Sequence, residues 1–325
     1  MLDQGDSMLK RVLAIVALIS AAAACGGGTG VTTPVATATA TPLPSRNANS
    51  SPTPNPTLSP VPQTQSSFAL VLSQFNFSTC SADQGQSIFI YAAGSAALSQ
   101  RITAPCALGQ PAYDQNGALW GVAAYGINPD GTSAGTFAPP GTLLAFDLSG
   151  KVYVEDPSTI ALDVYPSSSS TTMIRQIILP KAAVQASVDS TGNTYVATTA
   201  GVYEYAPTAS GNAAPVASNL GAEGAVATDG SGNVYAFYTS NATIGIWQAG
   251  TFGSNAPQRL IVPPLAPFSQ TQAFGFGVDH VGDIYVLGGG AFDEGGPVYY
   301  VPAGSSSVAQ LPASDIQQYI AVPLH

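Results

Sequence analysis

One short pattern recurs along this chain and constrains its fold more than any other feature. An Asp is followed by a Gly three residues on and an aromatic six residues on. It reads DQNGALW at 114–120, DLSGKVYV at 147–154, DSTGNTYV at 189–196, DGSGNVYA at 229–236 and DHVGDIYV at 279–286. The aromatics are Trp120, Tyr153, Tyr195, Tyr235 and Tyr285. A sixth, weaker copy, DQGQSIFI at 83–90, keeps Asp83 and Phe89 at that offset but carries its glycine at Gly85. An Asp side chain accepts hydrogen bonds from backbone amides just ahead of it and so fixes a turn. The Gly supplies the positive φ that closes a short hairpin loop. Asp114 with Gly117, Asp147 with Gly150, Asp189 with Gly192, Asp229 with Gly232 and Asp279 with Gly282 are therefore read as structural turns. The aromatic then falls on the next strand and packs inward.

Strand-like segments precede the Asp residues: TLLAFD to 147, VQASVD to 189, GAVATD to 229 and FGFGVD to 279. A third strand follows in several units, ending near Tyr165, Tyr205, Trp247 and Val301. The Asp-to-Asp spacings are 31, 33, 42, 40 and 50 residues. Propeller blades of four strands take about 40–45 residues, and one such sheet cannot bury its own faces, so neighbours must stack around a ring. The expected fold is an all-β propeller of about six blades over residues 68–325. The segment QQYIAV at 317–322 resembles the strand that precedes an Asp elsewhere, yet no unit follows it. It is expected to complete the first blade and remove an open edge.

With its D-x-x-G-N-x-Y-V core, the repeat resembles NHL-type propellers and related bacterial propeller repeats across residues 80–322. That resemblance implies architecture. The superfamily includes scaffolds, binding modules and a few enzymes, so it implies no single activity.

The N-terminus reads as an export signal over residues 1–25. Lys10 and Arg11 supply charge, and Val12 to Ala24 form a run of apolar and small residues leading to Cys25. That order is what secretion requires, and the run is shorter than the roughly 20 residues of a membrane span. Met8 begins a compact signal by itself. Ala22-Ala23-Ala24-Cys25 resembles a bacterial lipobox, which implies lipidation of Cys25, although Ala22 stands where Leu is usual. The alternative is a plain cleaved signal with an incidental Cys. Residues 26–67 form a Pro/Thr/Ser-rich linker with one charge, Arg46. Such a segment buries too little surface to fold and acts as a semi-extended spacer. Cys80 and Cys106 remain; in an oxidising compartment they are expected to pair, the alternative being two buried thiols.

Chemistry is sparse. Only 8% of residues are charged, with 8 basic against 18 acidic and a net charge of −10. No basic footprint for nucleic acid exists. The two His residues are His280, inside an Asp–Gly turn, and His325 at the end; neither suits a metal site or a general base. No nucleophile elbow, zinc-protease motif or phosphate loop occurs. No metal and no cofactor are expected. If a ligand site exists, it is expected in a central funnel lined by Gln110, Gln185, Glu223, Gln272 and Gln318. The expected role is a lipid-anchored, extracytoplasmic binding or scaffold propeller whose partner is an unknown protein or polysaccharide. The alternative is a periplasmic hydrolase or lyase using the funnel around Glu223.

Overall fold

The structure, a computed structural model, describes residues 67–71, 86–92, 98–104, 111–121, 125–222, 224–238, 243–253, 256–261, 275–287, 298–311 and 319–323. Among them every regular element is a β-strand. Sheet 1 holds β1 (Ser67–Val71), β2 (Gln86–Ala92) and β3 (Leu98–Ala104). Sheet 2 holds β4 (Ala112–Tyr113), β5 (Leu119–Trp120), β6 (Tyr125–Ile127) and β7 (Ser133–Thr136). Sheet 3 holds β8 (Thr142–Phe146), β9 (Val152–Asp156), β10 (Ala161–Tyr165) and β11 (Arg175–Ile178). Sheet 4 follows with β12 (Ala183–Val188), β13 (Thr194–Thr198), β14 (Gly201–Tyr205) and β15 (Ala217–Asn219). Sheet 5 holds β16 (Gly224–Thr228), β17 (Val234–Tyr238), β18 (Thr243–Trp247) and β19 (Arg259–Ile261). Sheet 6 holds β20 (Phe276–Val278), β21 (Ile284–Leu287), β22 (Val298–Val301) and β23 (Ala309–Leu311). The last strand, β24 (Tyr319–Ala321), joins sheet 1 by pairing antiparallel with β1, Ala69 opposite Ala321 and Val71 opposite Tyr319. Five sheets are thus meanders of four consecutive strands, while sheet 1 runs in the order β24-β1-β2-β3. This is an all-β propeller arrangement.

The Asp pattern makes the turn between the first and second strand of sheets 2 to 6. In each, the Asp Oδ1 accepts the backbone N–H of the residues two and four ahead, at 2.8–3.1 Å. The Gly N–H returns to the Asp carbonyl at 3.0–3.1 Å. The aromatic is not only packing. Its polar tip donates to the other carboxylate oxygen: Trp120 Nε1 to Asp114 at 2.9 Å and the Tyr235 hydroxyl to Asp229 at 2.8 Å. Tyr195 and Tyr153 do the same to Asp189 and Asp147 over longer distances, 3.3 and 3.4 Å. Asn193 and Asn233 add a side-chain N–H to the same oxygens at 3.0 and 2.7 Å. These carboxylates are buried, and burial of a charge is tolerable only with such partners. Gly282, at φ +94°, has a second role: a Cβ there would lie 2.9 Å from the Tyr235 hydroxyl and 3.3 Å from the Asp229 carboxylate. The turn of sheet 6 therefore rests on the Asp–Tyr pair of sheet 5.

The apolar core lies between sheets. Leu143, Phe146 and Val152 of sheet 3 pack with Trp120 of sheet 2. Leu162 and Ile177 of sheet 3 meet Val196 and Tyr205 of sheet 4. Tyr195 of sheet 4 clusters with Val226 and Trp247 of sheet 5. Phe237 of sheet 5 stacks on Phe276 of sheet 6 at 6.2 Å. Tyr285 and Leu287 of sheet 6 pack with Ile320, Phe89 and Tyr91 of sheet 1. On the other side of sheet 1, Gln100 Nε2 donates to the Pro129 carbonyl of sheet 2 at 2.7 Å.

Sheet 1 departs from the expected repeat. By the repeat's offset, Phe89 of the weak copy at 83–90 would fall on the second strand of its sheet, after only a poor first strand at Ser78 to Ala82. Instead β2, which follows Asp83, holds the third place in its sheet. The first-to-second connection there joins β24 to β1, distant in sequence, so no Asp turn can make it. Asp83 itself lies outside the described residues.

Close approach of sheets 6 and 1 yields a direct test. A Cβ on Gly277 of β20 would lie 2.3 Å from Val322 Cγ2. Gly277→Ala is expected to destabilise the protein by about 1–3 kcal/mol, as overpacking does. Adding Val322→Ala should restore much of the loss. Chemical denaturation of both variants checks it; an unchanged midpoint in the single variant, or no recovery in the double, contradicts the contact.

Candidate functional site

The first strand of each of sheets 2 to 6, together with β24, lines a central cavity of about 110 Å³. Its wall is formed by Tyr113, Leu144, Gln185, Val226, Phe276 and Ile320, one from each strand. At the turn end the wall passes to Leu148, Ser190, Gly230 and His280. Each is the residue just after a pattern Asp, so the turns of Asp147, Asp189, Asp229 and Asp279 aim their second position at the channel mouth. Gly230 N–H donates to the His280 carbonyl at 3.0 Å, linking two turns across the rim.

Inside, polar groups largely bond one another. The Gln185 amide donates to the Phe276 carbonyl at 3.1 Å and accepts from Val226 N–H at 3.2 Å. One side chain of sheet 4 thereby reaches both sheets 5 and 6. The Ser187 and Thr228 hydroxyls lie 2.9 Å apart. The site offers hydroxyls, one engaged amide and a rim imidazole around an apolar wall. That suits reversible hydrogen bonding to a small polar group. Burial holds the Tyr113 phenol far above its ordinary range, so it remains a neutral hydroxyl.

Of the five residues expected to line the funnel, the structure places Gln185 in the wall. Gln110, Glu223, Gln272 and Gln318 lie outside the described residues, as do Cys25, Cys80 and Cys106. Among the described residues no cluster of three His, Cys, Asp or Glu side chains could hold a metal ion. The five Asp–Gly pairs stand in turns on separate sheets rather than in one site. The rim positions of Leu148, Ser190, Gly230 and His280, each just after its Asp, carry no signature in the sequence. The bond from aromatic to carboxylate does carry one, the constant offset of six.

One carboxylate outside the channel has a distinct environment. Glu204 of β14 stands opposite Tyr195 in the β13–β14 pair. Burial, and the nearby Asp189 charge, push its carboxyl above the ordinary range, with Tyr195 partly offsetting them. A folded-state value above the unfolded one favours the native state below the ordinary carboxylate range, and that advantage is lost as pH rises through the raised value. Glu204→Gln, which keeps an acceptor without the charge, should therefore gain Tm relative to the parent as pH rises from about 4 to 7. Melting curves across that interval check it, and a gain that is flat or shrinks with pH contradicts it.

No protein-family model and no curated protein matches the chain. Several solved structures resemble it at low identity. A protein of unknown function from Bacteroides caccae shares 13% identity at a TM-score of 0.49, covering 80% of this chain and all of that one. A streptogramin B lyase structure shares 8% identity at a TM-score of 0.43, covering 64% of this chain and 70% of its own. Virginiamycin B lyase from Staphylococcus aureus shares 9% identity at a TM-score of 0.41, covering 64% and 84%. At these levels the description of the fold rests on the chain's own sheets.

Proposed function

We propose that residues 67–323 form one closed ring of six blades that acts as a binding or scaffold module, held outside a membrane by a lipid on Cys25. The observation that carries the binding reading is the engagement of the repeat's carboxylates. Each regular Asp is occupied by turn amides, and the aromatic tip also reaches Asp114, Asp147, Asp189 and Asp229. They serve architecture, leaving a small channel of hydroxyl and amide groups as the recognition surface. Ring closure draws support from the pairing of β24 with β1, from the cluster joining sheets 6 and 1, and from the Gln100–Pro129 contact. The tether draws support from the sequence alone: a charged start, an apolar run, Cys25, then a Pro-rich spacer.

Affinity capture with the full chain from envelope extract is expected to recover a protein or polysaccharide. In parallel, Cys25→Ser should move the chain from the membrane pellet to the soluble fraction. Captures that stay empty on repetition contradict the binding role; an unchanged distribution of Cys25→Ser contradicts the tether.

A further inference from the structure

Sheets 3 and 5 each carry an arginine at the first position of the outermost strand, Arg175 in β11 and Arg259 in β19. Arg175 lies 6.0 Å from the centre of the Tyr153 ring, the pattern aromatic of its own sheet. It also donates to the Pro207 carbonyl of sheet 4 and so bridges the gap between neighbouring sheets. Arg259 stands in the same register relative to Tyr235, two strands away through Ile246 as Arg175 is through Val164, yet its guanidinium makes no hydrogen bond and no ion pair with the described residues. Where its counterpart bridges sheets 3 and 4, a cavity of about 310 Å³ opens between sheets 5 and 6. The cavity reaches Pro302, just after β22, much as Pro207 follows β14.

The lining is chemically specific. Arg259 supplies a half-buried guanidinium, and Gln248 and Gln258 supply exposed amides. Asn233 already donates to Asp229 at 2.7 Å, which leaves its amide oxygen able to accept. Tyr235 and Ile284 form a buried apolar floor. A guanidinium fork matches a carboxylate, planar amides match vicinal hydroxyls, and an apolar floor matches the C–H face of a pyranose. The charge balance selects a monoanion. Among the described residues one cation faces the cavity, in a chain of net charge −10, so a dianionic phosphate would lack compensation there.

We propose that this cavity between sheets 5 and 6 binds a small sugar acid, with its carboxylate on Arg259 and its hydroxyls on the surrounding amides. The proposal rests on the binding reading above and adds a ligand class at a position outside the channel.

Calorimetric titration of the full chain with glucuronate, glucose and inorganic phosphate tests it. Glucuronate should bind, and Arg259→Gln should weaken it by about tenfold or more, the scale of one charge-assisted pair. Glucose should bind at least as weakly to the parent as glucuronate does to that variant. Arg175→Gln, which alters the bridged counterpart, should leave glucuronate affinity unchanged. Should Arg259→Gln fail to fold, the double variant Gln248→Ala, Gln258→Ala on exposed positions should still weaken glucuronate severalfold. Absence of glucuronate binding, equal binding by Arg259→Gln, or phosphate binding tighter than glucuronate would each overturn the proposal. An empty titration would leave the envelope capture to be decided separately, since that assay does not require Arg259.

Discussion

A buried carboxylate that gathers donors from its own turn and from the following strand sets the geometry of sheets 2 to 6. Asp229 illustrates it: one oxygen takes the amides of Ser231 and Asn233, and the other takes the Asn233 side chain and the Tyr235 hydroxyl. Hydrogen bonds to an ionised group are worth about 1.5–3 kcal/mol each, and losing their partner leaves a desolvated charge. The arrangement fixes the turn, the register of the first two strands and the aromatic's orientation together. Because Gly282 of sheet 6 rests on that pair, the interaction also sets the spacing of sheets 5 and 6.

That coupling explains which parts of the fold were legible. Asp, Gly and aromatic recur at fixed offsets because each answers to a local geometric demand, so a single unit reveals them. Asn193 and Asn233, four residues after their Asp, belong to the same network and account for the G-N in the motif. Sheet 1 was harder to read because its first-to-second connection joins the two ends of the folded part, leaving no turn for a motif to mark. The segment at 317–322, within which β24 lies, was recognisable from its likeness to the strands that precede an Asp, whereas β1 at Ser67–Val71, placed in the linker's last residue and beyond, had no Asp to announce it.

The site was less legible than the scaffold. Counting to the starts of the inner strands placed glutamines at the funnel, and Gln185 does line it, but its amide is engaged by sheets 5 and 6. The rim instead follows from the turn, which carries its second residue to the channel mouth. Neither the cavity beside Arg259 nor its difference from the bridged Arg175 could be read from spacing, since both depend on how two sheets meet. The repeat is broken between these two gaps: an arginine is bridged in one and lines a cavity in the other.

The central claim is that the pattern Asp and its aromatic act as one unit. A double-mutant cycle on Asp229→Ala and Tyr235→Phe, read by denaturant unfolding, tests it most directly. The account predicts a coupling free energy of about 1–2 kcal/mol between the two sites. Losses that add to within about 0.3–0.5 kcal/mol would mean the contact is incidental and the turn alone holds the sheet.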